Sequence, residues 1–90
     1  MKKRLHVYFD GRVQGVGFRF TVIELTRQSG VCGWVKNLDD GRVEITAEAE
    51  EVSLKDFLEE ISQRFSRYIR DTQTQWHDAN GEFKDFTVKF

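Results

Sequence analysis

Residues 43–49 constrain the fold most, because Val43, Ile45, Ala47 and Ala49 alternate with Glu44, Thr46 and Glu48. A period of two marks a strand that is dry on one face and wet on the other. Such a strand belongs in a sheet with one face covered, and the rest of the chain must supply the cover. Asp39-Asp40-Gly41 lies just before it and has the chemistry of a tight turn. The segment Val31 to Leu38 therefore reads as a second strand, paired with the first as a hairpin. After the hairpin, Leu54, Phe57, Leu58, Ile61 and Phe65 recur at helical spacing, while Glu59, Glu60, Gln63 and Arg64 take the other side. Ser53, with Asp56 three residues later, predicts the N-cap of this helix.

The N-terminal half repeats the pattern. Leu5, Val7 and Phe9 alternate with His6 and Tyr8 and predict a strand. A helix follows from Phe18, with Phe18, Val22, Leu25 and Ser29 on one face and Gly30 as its stop. Phe20 and Ile23 fall on the opposite side, so its amphipathicity is less clean. Tyr68 to Trp76, with Thr72, Thr74 and Trp76 in alternation, predicts an edge strand. A turn at Asp78-Ala79-Asn80-Gly81 leads to a short strand with Phe86, Val88 and Phe90. The order βαββαβ plus a short C-terminal strand predicts an α+β, ferredoxin-like split βαβ sandwich, with two helices on one face of a mostly antiparallel sheet.

Composition bounds what this fold can serve. Ninety residues make one domain, 1–90, and 39% hydrophobic content with eight Phe is enough for a core. Cys32 is the lone cysteine, so no intramolecular disulfide forms, which fits a reducing compartment. The net charge of −1 argues against a nucleic-acid partner, whose phosphates call for basic excess. The basic start Met1-Lys2-Lys3-Arg4 is not followed by an apolar stretch, because His6, Asp10 and Arg12 interrupt it. No run approaches the roughly 20 apolar residues that span a bilayer. The expectation is a cytoplasmic protein with no membrane partner.

Between the first strand and helix lies Gly11-Arg12-Val13-Gln14-Gly15-Val16-Gly17-Phe18-Arg19. Its spacing, Gly-x-x-x-Gly-x-Gly, is neither the dinucleotide fingerprint nor a P-loop. Glycines at a strand-to-helix turn can orient successive N–H groups into a nest for an anion, and the helix N-terminus adds its own free donors. Arg19 in the first helical turn carries a planar fork that matches phosphate oxygens. On the glycines alone, a tight turn and an anion site remain equally open.

The stretch GRVQGVGFR resembles the signature of the acylphosphatase family, and Gly33-Trp34-Val35-Lys36-Asn37 resembles its second signature. Gly81-Glu82-Phe83 followed by Phe86 is similar to the family's ending, so the likeness covers nearly the whole chain. The resemblance implies metal-free hydrolysis of acyl phosphates to a carboxylate and inorganic phosphate, with no cofactor. It implies that the backbone of Gln14, Gly15, Val16, Gly17, Phe18 and Arg19, with the Arg19 side chain, binds the phosphate. It also implies that Asn37 positions the attacking water, leaving Arg19 and Asn37 as the catalytic pair. A monomer acting on a small acyl phosphate is the expectation.

Departures from the family pattern are Asp39 in place of a frequent proline, Thr26 and Ser29 in the first helix, and Ala49 in place of a frequent glycine. They bear on packing rather than on the site. Two other readings stand beside the enzyme. One is a non-catalytic phosphate-binding domain. The other is an RNA-binding ferredoxin-like module using Tyr8, Phe9, Phe18 and Phe20. His6 and His77 have no metal-ligand spacing, Cys32 lacks a catalytic motif, and Glu48, Glu50 and Glu51 read as a solvated face.

Overall fold

The computed structural model describes all 90 residues. Seven elements follow one another: β1 (Lys2–Gly11), α1 (Phe18–Ser29), β2 (Cys32–Asn37), β3 (Val43–Glu50), α2 (Glu51–Arg64), β4 (Ile69–Asp78) and β5 (Phe86–Lys89). They build one five-stranded sheet in the order β4-β1-β3-β2-β5. Three of its pairings are antiparallel, and β5 runs parallel to β2. This is the expected ferredoxin-like arrangement with its extra C-terminal strand.

The alternation in β1 and β3 builds the core. Their pairing sets Leu5 against Ala47, Val7 against Ile45 and Phe9 against Val43, and all six are buried. The helices cover this face with Phe18 and Val22 from α1 and with Leu54, Phe57 and Ile61 from α2. The Phe18 ring sits between Phe9 and Phe65, at centroid distances of 5.1 and 4.6 Å. Leu25 and Ile23 are partly buried against the core, whereas Phe20 stands free in solvent. That resolves the mixed face of the first helix. No helix is long and apolar enough to cross a membrane.

The start of α2 differs from expectation. Ser53 is not the N-cap; it is the third residue of a helix that begins at Glu51, and Glu50 at the cap makes no side-chain capping bond. The pairing of Lys2 with Glu50 holds β3 to its last residue. The Glu51 N–H then donates to the Met1 carbonyl at 3.2 Å. Strand therefore passes into helix with no loop, and tertiary pairing overrides the local capping signal. Gly30 ends α1 in the left-handed region, as predicted.

The acidic cluster in β3 also differs. Glu48 is buried, with 6% exposure. It accepts hydrogen bonds from the Arg4 Nε at 2.8 Å, the Asn80 N–H at 3.1 Å and the Gly81 N–H at 3.0 Å. Burial pushes the Glu48 carboxyl up, but the Asn80 N–H, Arg4 and the Gly81 N–H together outweigh it and hold the group below the usual range. A carboxylate that sequence alone assigns to solvent thus ties the segment after β4 to the sheet. Glu50 pairs with the N-terminal ammonium at 2.5 Å.

Candidate active site

The phosphate-type loop is shaped by where its side chains go. Val13 is fully buried, Val16 packs against the core and Phe18 is 2% exposed. These apolar anchors turn inward and leave the loop's backbone for the outer side. Gly15 and Gly17 take φ of 79° and 81°, a region that a side chain disfavours. A Cβ at either would meet nothing within 4 Å, so backbone conformation rather than lack of space calls for glycine.

Gly17 caps α1 with no side-chain hydrogen bond, and the first turn carries no acidic residue. The opening N–H groups of the helix thus lack a capping side chain and remain available, with the positive end of the helix dipole behind them. Arg19 projects from this turn and makes no ion pair within the chain; its guanidinium lies 5.7 Å from the Phe90 ring. A cation with no carboxylate, set among unused N–H donors, is an arrangement for an anion.

Asn37 closes the site from the other side. It is the last residue of β2, paired with Val43 at the mouth of the hairpin. One cavity of about 190 Å³ is lined by Val13, Gln14, Gly15, Gly17, Phe18, Arg19, Phe20 and Asn37. The two resemblance motifs, far apart in sequence, meet there. The space is below the roughly 300 Å³ typical of drug-sized sites, which suits a small polar group. Asn37 Oδ1 is buried and meets no hydrogen-bond donor of the protein. A buried polar atom without a partner is uncommon and costly, and it points to a ligand or a water.

Gln14 acts in two ways. Its backbone belongs to the loop, as expected. Its side chain turns away, and Nε2 donates to the Leu38 carbonyl at 2.7 Å and the Arg42 carbonyl at 3.0 Å. Those carbonyls also close the hairpin turn, accepting from the Gly41 N–H and the Leu38 N–H respectively. Gln14 therefore clamps the loop to the turn that follows Asn37, and its spacing in the sequence carries no signal of this. Phe20 and Val13 are further lining residues that sequence reasoning missed. Phe20, 72% exposed at the lip, had one signal, a large apolar side chain off the core face.

The remaining candidates lie elsewhere. Arg12 is exposed, and its N–H donates to the Tyr68 carbonyl. Trp34 does not line the cavity; Lys89 Nζ lies 4.7 Å from its ring. His6 meets Glu44 at 2.6 Å. Asp40 binds the N–H and side chain of Arg42 inside the turn, and the Arg42 N–H, working against burial, holds its carboxyl below the usual range.

The chain matches the acylphosphatase family model over residues 5–88. It is 48% identical to the acylphosphatase of Trichormus variabilis over 91 aligned positions, covering 96% of this chain and 85% of that protein. It is 45% identical to the acylphosphatase of Bacillus velezensis over 87 positions, covering 94% and 96% of the two chains. Its backbone superposes on the crystal structure of acylphosphatase from Bacillus subtilis with a TM-score of 0.90 at 37% identity, covering 98% of this chain and 99% of that one. Sequence along the whole domain, backbone architecture and the meeting of both signature motifs around one small cavity agree: the chain belongs to the acylphosphatase family.

Proposed function

We propose that the chain hydrolyses the carboxyl–phosphate bond of acyl phosphates, with the phosphate held by the 14–19 loop and Arg19 and with water held by Asn37. Family membership makes it a hydrolase of acid anhydrides. The observation that carries the assignment of roles is that Asn37, whose Oδ1 is buried and unpartnered, lines the same small cavity as the unpaired Arg19.

An acyl phosphate carries a good leaving group, so the site needs little acid catalysis. Phosphoryl transfer leans on position and on charge stabilisation over the equatorial oxygens. The loop N–H groups and the Arg19 fork supply that charge without a metal or cofactor. The water oxygen attacks phosphorus and the bond from phosphorus to the acyl oxygen breaks. The carboxylate leaves with the electron pair. Asn37 holds the water by a hydrogen bond through its side-chain amide group and thereby aims it, but an amide is no base at neutral pH. The released proton goes to the phosphate. Every proposed group comes from one chain, so the monomer is the catalytic unit. The half-exposed free thiol of Cys32 suits a reducing cytoplasm.

The test is hydrolysis of benzoyl phosphate, with and without chelator. Turnover unaffected by chelator is expected; turnover no faster than the buffer blank rejects the enzyme in favour of a phosphate-binding domain. Arg19→Lys should weaken inhibition by inorganic phosphate and remove most activity, because an ammonium lacks the fork. Unchanged kinetics would take Arg19 out of the site.

A further inference from the structure

An acyl phosphate has two ends, and the loop accounts for one of them. The cavity of about 190 Å³ suits the phosphoryl group and a water, so the acyl group must extend past its lip. Among the residues that line it, Arg19 alone carries a charge, and the phosphate takes that charge. Val13 and Phe18 are buried, and the Gln14 side chain is held by the hairpin. Phe20 is the one large apolar side chain of the lining that is open to solvent, at 72% exposure.

Helix geometry aims this ring. Phe18 and Val22 turn to the core, and Phe20, two residues from each, points away from it. Side chains of a helix also lean toward its N-terminus. From the first turn of α1, that lean carries Phe20 over the loop. Exposure on this scale is not general for Phe in this chain. Phe9, Phe18, Phe57 and Phe65 are buried, and Phe83 and Phe86 are half-buried. Phe90, the other fully exposed one, holds its ring 5.7 Å from the Arg19 guanidinium.

We propose that Phe20 is the contact for the acyl group, and that it selects acyl phosphates whose acyl group is aromatic or otherwise large, apolar and uncharged. The inference rests on the acyl phosphate reading given above and names the substrate class for that site. The phosphate is anchored by the loop, so the group bonded to it is carried to the lip with no further loss of freedom. There it covers the Phe20 ring and removes apolar surface from water. A second negative charge on the acyl group would find no second cation in the lining.

Steady-state kinetics with benzoyl phosphate and acetyl phosphate test this. The ratio of their kcat/KM values cancels any general damage to the site. In Phe20→Ala that ratio should fall about fivefold, with most of the loss on benzoyl phosphate. In Phe20→Trp, which keeps a ring, it should stay within twofold of wild type. Phenacylphosphonate and acetonylphosphonate have CH2 in place of the bridging oxygen and are not hydrolysed. By titration calorimetry the wild type should bind the phenacyl analogue about fivefold more tightly than the acetonyl one, and Phe20→Ala should erase the difference. A preference for the phenacyl analogue that depends on Phe20, without turnover of either acyl phosphate, would reject the hydrolase and leave the acyl contact standing. Turnover of both substrates with a ratio unchanged in Phe20→Ala, or with equal losses on both, would overturn the contact and leave the hydrolase standing.

Discussion

Asn37→Ala separates a water-holding residue from a structural one. Asn37 Oδ1 is buried and unpartnered, and no hydrogen bond within the chain involves its side chain. Leaving such an atom in the fold costs about 1–3 kcal/mol. Truncation removes that cost and removes no protein hydrogen bond, while giving up some contact of a half-buried side chain. The two effects nearly offset. Stability should shift by no more than about 1 kcal/mol, in the stabilising direction. Turnover of benzoyl phosphate at saturation should fall about 100-fold, because the water loses its aim; that corresponds to about 2.7 kcal/mol of barrier. Inhibition by inorganic phosphate should stay within threefold, since Arg19 and the loop are untouched. Urea unfolding and steady-state kinetics on the same preparation measure all three. A stability loss above about 2 kcal/mol would refute the reasoning, because it would mean that the side chain supports the fold. Full turnover in the variant would refute it equally.

The structure fixes three other outcomes. Gln14→Leu removes two hydrogen bonds, each with a net contribution of about 0.5–1.5 kcal/mol, so unfolding should ease by about 1–3 kcal/mol. Phosphate inhibition should weaken with it, as the loop slips from the hairpin; unaltered inhibition would show that the clamp does not shape the site. In Gly33→Ala the new Cβ would stand 1.9 Å from the Thr46 carbonyl oxygen and 2.8 Å from the Ala47 Cα, at a φ of 144°. Backbone of a paired strand cannot step aside, so a loss of about 3 kcal/mol or more is expected in urea unfolding. Glu48, held below its unfolded value, contributes stability that is present above the ordinary Glu range near 4.3 and is lost as pH falls through its folded value. Stability should therefore fall as the pH drops below about 4.5, and Glu48→Gln should flatten that acid limb; parallel pH profiles would reject the linkage.

Local pattern determined much of this protein. The alternation in β1 and β3 and the helical spacing from Leu54 to Phe65 specify which side chains must be dry, and burial follows that list closely. Three glycines and an arginine at a helix start lie within nine residues, which makes a candidate anion loop legible before any fold is known, although the glycines alone suit a tight turn equally well. Other features depend on partners distant in sequence. Whether Ser53 caps a helix was decided by how far β1 zips against β3. Whether Glu48 is wet was decided by Arg4 and by the backbone of Asn80 and Gly81. The site itself divides the same way. The loop is a local structure, but the cavity exists only because the sheet brings β2 alongside α1 and Gln14 clamps the loop to the hairpin. The orphaned oxygen of Asn37 is likewise invisible in one dimension, because an atom lacks a partner only with respect to everything that surrounds it in space.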